Sequence, residues 1–260
     1  MIDTHTHLSE PEFEDDLTEV VHRAKEAGVT TVLLPAINLE SMAGILTLCR
    51  TYSGFAYPMI GLHPEEVKAD YQEVLGKMKA MITPDAPYIA IGEVGLDYYW
   101  SREFEQEQLA VFEEQVKWSV ETRLPLMIHC RKAQNEMVKI LHRYEKDLPG
   151  GVFHCFTGNE KEAAELLAFD RFCLGIGGVL TFKKSNLPTT LREVPLERVV
   201  LETDAPYMAP VPMRGKRNES AFLVYVVNRL QEVYGKDAAE ISRITTENVY
   251  RTFKKLSIKY

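Results

Sequence analysis

The chain opens Met1-Ile2-Asp3-Thr4-His5-Thr6-His7-Leu8, and the two imidazoles in it are the first groups that could do chemistry. Read as a strand, the segment points Asp3, His5 and His7 one way and Ile2, Thr4 and Thr6 the other, because successive side chains alternate. Side chains two residues apart share a face, with Cα atoms roughly 6.5–7 Å apart. Two imidazoles so placed can lean onto one metal ion, and neutral imidazole is the commonest metal ligand. A lone HxH near a terminus would carry little weight. Here it is joined by acidic and imidazole groups at the ends of later apolar runs: His63 in Gly61-Leu62-His63-Pro64, Glu93 in Ile91-Gly92-Glu93, His129 before Cys130-Arg131, His154 in Phe153-His154-Cys155-Phe156, and Asp204 in Leu201-Glu202-Thr203-Asp204.

The elements that must position these groups follow from the apolar pattern. Short runs at Met1–Leu8, Thr31–Ala36, Ala56–Leu62, Tyr88–Leu96, Pro125–Cys130, Gly151–Phe156, Arg171–Ile176 and Val199–Thr203 are predicted strands. Amphipathic stretches between them, such as Leu17–Ala27, Leu39–Tyr52, Tyr71–Ile82, Glu103–Thr122, Ala133–Leu148 and Lys161–Ala168, are predicted helices, with two more near Ala221–Tyr234 and Ala238–Lys255. Strands rich in Val, Ile and Leu that alternate with helices indicate a parallel sheet. Eight such strands in 260 residues fit an α/β fold of the (β/α)8 TIM-barrel type, typically about 250 residues long. No repeat, low-complexity segment or linker divides the chain, so residues 1–260 are expected to form a single domain. Pro206–Glu219 reads as a long loop after the eighth strand.

In such a barrel the reacting groups sit at the C-terminal ends of the strands, where the candidates above fall. Buried carboxylates without a cation or partner would be costly. Imidazole nitrogen and carboxylate oxygen without thiolate suit zinc, manganese, iron or magnesium and select none of them. The number of donors suggests two divalent metal ions (Zn, Mn or Mg). His5, His7 and Asp204 would serve one, His129 and His154 the other, and Glu93 would bridge. Two ions roughly 3.5–4 Å apart hydrolyse phosphate esters by activating water and clamping oxygen charge. Asp204 is the expected acceptor of the water's proton.

The remaining composition narrows the class. Net charge is −8, which argues against a protein that coats nucleic acid by bulk electrostatics but allows an enzyme that handles phosphates through bound cations and local arginines. The acidic run Glu10 to Asp16 is expected to be a solvated helix N-terminus. Cys49, Cys130, Cys155 and Cys173 show no CxxC spacing and are expected to be reduced, with Cys130 and Cys155 turned away from their neighbouring histidines by strand alternation. No run approaches the roughly 20 apolar residues of a membrane span. No export signal is evident, so the cytoplasm is the expected location.

Taken in order, the segments HTH, GLHP, GEVGLDY, HCR, HCFTG and ETDAPY followed by RGKRNE resemble the TatD family of metal-dependent deoxyribonucleases, within the amidohydrolase superfamily. The resemblance runs from His5 to Asn248. It implies a (β/α)8 fold and metal-dependent hydrolysis of DNA phosphodiesters, with 3′-to-5′ exonuclease action. It also implies that His5, His7, Glu93, His129, His154 and Asp204 are the metal ligands, with Asp204 and Glu93 catalytic. Two positions depart from the family's usual GxHPH and RNEP: Glu65 stands for the second histidine and Ser220 for the proline. Nucleic acid, single-stranded DNA foremost, is then the expected partner, with no membrane and no obligate protein partner.

Around this centre, His63 is a candidate donor to a substrate phosphate, Arg131 could aim at a phosphate from the same rim, and Arg214 and Arg217 lie on the loop after strand eight, a usual phosphate-binding region in barrels. Asp97 could orient a ligand or cap a turn, and Glu202 shares a face with Asp204 if the strand runs straight. Tyr98, Tyr99 and Trp100 could stack on bases or simply pack. The same barrel and ligands would equally serve an amidohydrolase acting on a small molecule or on aminoacyl-tRNA esters, because function lives in the loops. A non-catalytic nucleic-acid-binding protein fits worse, given the acidic charge and the full set of ligand-type residues.

Overall fold

A computed structural model describes residues 1–257, in which eight strands alternate with helices. The strands are β1 (Ile2–Asp3), β2 (Thr31–Leu34), β3 (Ala56–Pro58), β4 (Ile91–Asp97), β5 (Leu126–Arg131), β6 (Gly151–Phe153), β7 (Phe172–Ile176) and β8 (Val199–Leu201). The helices are α1 (Leu17–Glu26), α2 (Leu39–Thr51), α3 (Tyr71–Met81), α4 (Glu105–Thr122), α5 (Gln134–Tyr144), α6 (Glu160–Leu167), α7 (Leu187–Leu191), α8 (Leu223–Tyr234) and α9 (Ala238–Thr252). Most strands end earlier than their apolar runs predict. The runs continue into turns beyond the last ladder hydrogen bond, and there the polar side chains of interest sit. The first strand shrinks most, to Ile2–Asp3, and α7 is a five-residue helix that no periodicity announced.

All strand pairs are parallel, in two ladders of order β1-β2-β3 and β4-β5-β6-β7-β8. Backbone hydrogen bonds join the ladders at both edges. Gly92 N donates to Ile60 O (2.8 Å) and Ile60 N to Ala90 O (3.2 Å), while Thr4 N donates to Leu201 O (2.9 Å), Asp204 N to His5 O (2.9 Å) and His7 N to Ala205 O (2.7 Å). These seams complete the eight-stranded barrel, and the second draws His5, His7 and Asp204 together.

Two hydrophobic layers hold the barrel. Ile2, Leu33, Met59, Met127, Val152, Cys173 and Val200 form one buried cluster. Single residues from so many strands can meet only inside the barrel. Val249 of α9, with Phe253 and Leu256 just beyond it, packs in the same cluster and floors the interior. A second, larger cluster lies between strands and helices; its α4 members Val111, Phe112, Val116 and Trp118 are all at most 1% exposed. Each fully buried side chain of this size contributes about 1.5–3 kcal/mol, so the scaffold is packed independently of the polar mouth. Among the described residues no helix is long and apolar enough to cross a membrane.

Candidate metal centre

Glu93 occupies the middle of the mouth because β4 bulges beneath it. Ile91 lies opposite Leu126 and Val94 opposite Ile128, so β4 carries one residue more than β5 over this stretch. A bulge of this kind re-aims a side chain. The two strands approach so closely that a Cβ on Gly95, whose φ is +147°, would fall 1.8 Å from His129 O; only glycine fits there. Glu93 is 3% exposed.

Five imidazoles surround that carboxylate. Oε2 lies 3.0 Å from His5 Nε2 and 3.7 Å from His7 Nε2. Oε1 lies 3.1 Å from His129 Nδ1, 3.4 Å from His63 Nε2 and 3.8 Å from His154 Nε2. Asp204 Oδ1 faces the group from β8 at 3.4 Å from His7 Nε2, 3.7 Å from His154 Nε2 and 3.8 Å from His5 Nε2. Asp204 itself has φ +58°, a left-handed conformation that aspartate tolerates better than most residues and that functional sites often hold.

The donors fit divalent cations better than they fit one another. His5 Nε2 and His7 Nε2 are 3.2 Å apart, close to the edge of about 3.3 Å expected for a tetrahedron of nitrogens at 2.0–2.1 Å from zinc. Ligand atoms of His5, His7 and Glu93 lie within 4.8 Å of one another, as do those of His5, His154 and Asp204, and those of Glu93, His129 and His154. His5 turns Nε2 to the centre, where it meets Glu93, His7 and Asp204, and its Nδ1, on the other side of the ring, is buried without a hydrogen-bond partner.

Charge among these side chains is distributed accordingly. Burial alone would push the Glu93 carboxyl up, but His5, then His63 and His129, hold it well below the usual range. Burial likewise opposes ionisation of Asp204, and His154 and His7 override it. Burial, reinforced by the neighbouring His154 ring stacked 3.5 Å away, lowers His5, which favours the neutral ligand form. Burial works against charge on His129 too, but Asp97 and Glu93 raise it to about 9; Glu202 and Asp204 outweigh burial at His154 and raise it to about 10.

Two further carboxylates stand behind these histidines. Asp97 Oδ2 is 2.8 Å from His129 Nε2, which leaves Nδ1 turned to the centre. Glu202 Oε1 is 3.1 Å from His154 Nδ1, in ion-pair range although misaligned for a hydrogen bond, and it accepts from Cys155 N at 2.6 Å. A Cβ on Gly175 would fall 2.0 Å from Glu202 Oε2, so that glycine makes room for the carboxylate. Such partners set tautomer and ring orientation of metal-binding histidines.

Seven of the residues singled out from the sequence therefore converge: His5, His7, His63, Glu93, His129, His154 and Asp204. His63 also accepts from Glu65 N through Nδ1 at 3.2 Å, and the Glu65 carboxylate lies near His63 and His129. Arg131 stands at the rim, its Cζ 3.6 Å from the Tyr99 ring centre. Arg217 is held elsewhere: its guanidinium takes Asp16 Oδ1 (2.7 Å) and Oδ2 (2.8 Å) and lies over Phe13. Arg214 lies over Phe182 and donates to Ala209 O at 3.3 Å.

Three other expectations need correction. Asp3 does not share the histidines' environment; it accepts from Thr203 N, Thr203 Oγ1 (2.7 Å) and Ser220 Oγ (2.6 Å), because regular alternation stops where β1 ends. The acidic run is not simply solvated, since Asp16 binds Arg217 and Arg23. Cys155 is not turned away, since β6 ends at Phe153 and Cys155, with φ +48°, places its sulfur near His154 and Glu202. Burial pushes its thiol up, which disfavours thiolate ligation. Sequence reasoning missed the support from Gly175, the tie between Ser220 and Asp3, and Tyr207, whose ring centre lies 6.2 Å from that of His7; only the Ser220 departure was a visible signal.

Comparison with known proteins agrees with this architecture. Residues 2–254 match the family model described as TatD related DNase. The chain is 35% identical to the uncharacterized metal-dependent hydrolase YabD of Bacillus subtilis, over 98% of this chain and 99% of the relative. It is 32% identical to the 3′-5′ ssDNA/RNA exonuclease TatD of Pectobacterium carotovorum, again over 98% and 99%. The crystal structure of the TatD homologue YjjV from Escherichia coli superposes with a TM-score of 0.88 at 30% identity, covering 98% of each chain.

Proposed function

Because this chain belongs to the TatD-related DNase family and is a metal-dependent hydrolase, we propose that it removes nucleotides from the 3′ end of single-stranded nucleic acid. The observation that carries this reading is one buried carboxylate, Glu93, met by five imidazoles that Asp204 also faces at the barrel mouth. In this reading residues 1–260 act as one catalytic unit. His5, His7, Asp204 and Glu93 Oε2 would hold one divalent cation, and His129 Nδ1, His154 Nε2 and Glu93 Oε1 a second. Bound there, such cations would lower the pKa of a water molecule and neutralise charge on phosphodiester oxygens.

The chain's own groups supply the rest. Burial opposes ionisation of Asp204, but His154 and His7 hold its carboxyl below the usual range, and in this reading it would accept the proton of the attacking water. Glu93 ties the two ligand groups at one spacing. Asp97 and Glu202 keep His129 and His154 turned inward. His63, 11% exposed at its side chain and 3.4 Å from Glu93, would donate to a phosphate oxygen, and Arg131, beside Tyr99 at the rim, would take a backbone phosphate of the bound nucleic acid.

The test is shortening of a 5′-labelled single-stranded DNA oligonucleotide by chelated protein resupplied with Mg²⁺, Mn²⁺ or Zn²⁺. A ladder receding from the 3′ end, lost in Glu93→Ala, is the expected result. No shortening, with metal shown to be bound, would overturn the nuclease reading in favour of a small-molecule or aminoacyl ester on the same centre.

A further inference from the structure

We infer that Tyr99, Trp100 and Arg131 form a stacking subsite for an unpaired nucleobase, with Tyr207 as a second stacking surface across the mouth. The inference rests on the nucleic-acid reading above and adds to it the residues that would grip the bases. Trp100 is 66% exposed and Tyr99 and Tyr207 are each 50% exposed, whereas Trp118 is 1% exposed. All three exposed rings follow strand ends at the mouth: Tyr99 and Trp100 follow β4, and Tyr207 follows β8. Strands four apart in an eight-stranded barrel lie on opposite sides, so the loop after β4 and the loop after β8 flank the mouth from opposite sides, with the Tyr207 ring beside His7.

The β4 flank is built rather than loose. The rings of Tyr99 and Trp100 meet edge to face, 4.8 Å apart at 84°. The Arg131 guanidinium lies 3.6 Å from the Tyr99 ring centre and 5.3 Å from that of Trp100. Among the described residues no carboxylate pairs with Arg131, so its charge is available to a phosphate while its plane supports a ring. Tyr99 N donates to Asp97 Oδ1 at 2.8 Å, and the other oxygen of the same carboxylate holds His129. One side chain thus fixes both the aromatic surface and a metal-facing imidazole, which sets their spacing. Aromatic faces accept any base that is not paired, and an adjacent cation takes the backbone charge.

The chain's two tryptophans make the test direct, because Trp118 is buried and Trp100 is not. Metal-loaded protein is titrated with a phosphorothioate oligothymidylate ten nucleotides long, which resists hydrolysis, and with the same backbone made abasic at its 3′ end. The expected result is quenching of the exposed emission by the first oligomer but not the second, and none in Trp100→Ala. In steady-state hydrolysis, Trp100→Ala should raise KM roughly 5- to 150-fold, the range set by about 1–3 kcal/mol per stacked base, with kcat little changed and Trp100→Phe restoring most of the loss. Equal quenching by the abasic oligomer, or no quenching and an unchanged KM, would overturn the subsite. Cleavage without quenching would leave the nuclease reading standing alone; base-dependent quenching without cleavage would do the reverse. Trp100-dependent dimerisation in sedimentation, with KM unchanged, would assign the patch to self-association and also overturn it.

Discussion

Asp97→Asn is the sharpest probe of how the centre is held. Asp97 is 2% exposed and has two acceptor duties: Oδ1 receives Tyr99 N at 2.8 Å and Oδ2 faces His129 Nε2 at 2.8 Å. Asparagine has one acceptor oxygen, so it cannot serve both. If its oxygen keeps Tyr99 N–H, its amide N–H₂ faces His129 Nε2 and favours the tautomer with the proton on Nδ1. That nitrogen is the one 3.1 Å from Glu93 and turned to the centre, and a protonated nitrogen has no lone pair for a cation. Loss of a partner of this kind costs about 10- to 100-fold in metal affinity, or roughly 1.4–2.7 kcal/mol. The assay is chelator competition with metal content read by mass spectrometry, alongside circular dichroism to verify the fold. Affinity within about twofold of wild type, in a folded variant, would refute the orienting role; Asp97→Glu, which keeps both acceptors, should lose less.

The remaining predictions address the centre, the network behind it and one surface pair. Glu93→Ala should abolish turnover while leaving the circular dichroism spectrum unchanged, because the packed layers lie below the mouth; residual activity near wild type with metal intact would contradict the assignment. Removing the cations should lower Tm by roughly 5–10 °C, since a ligand at 100 times its Kd adds about 2.7 kcal/mol and each kcal/mol is worth about 2–4 °C in a chain of this size; an unchanged Tm would count against cations bound to the native state. Ser220→Ala removes the 2.6 Å hydrogen bond to the buried Asp3 carboxylate and should cost about 1–3 kcal/mol in urea denaturation, whereas a loss of a few tenths would show that the carboxylate finds another donor. Asp16 is held below the usual aspartate range by Arg217, so the stability it contributes is present above the unfolded value of 3.8 and is lost as pH falls through the depressed folded value. Asp16→Asn should therefore cost at most about 1 kcal/mol at pH 7, given its partial exposure, and the difference from wild type should vanish in strong acid; a constant difference would point to packing.

The sequence by itself determined the elements and the places where polar groups interrupt them. Strand and helix identity follow from local periodicity, and a parallel barrel brings all C-terminal strand ends to one mouth, so His5, Glu93, His129, His154 and Asp204 could be gathered from their positions alone. Strand ends were less legible, because an apolar run does not reveal where the last ladder hydrogen bond falls; β1 keeps two residues of the eight expected, and Asp3 turns to Thr203 and Ser220 in consequence. Tertiary structure alone decided pairings between distant residues. Arg217 and Asp16 are 201 positions apart, and their ion pair exists only because barrel closure sets the loop after β8 against the start of α1. The same holds for His129, whose sequence context does not say which nitrogen faces inward. That choice belongs to Asp97, 32 residues earlier, because whichever carboxylate claims one ring nitrogen leaves the other for the centre.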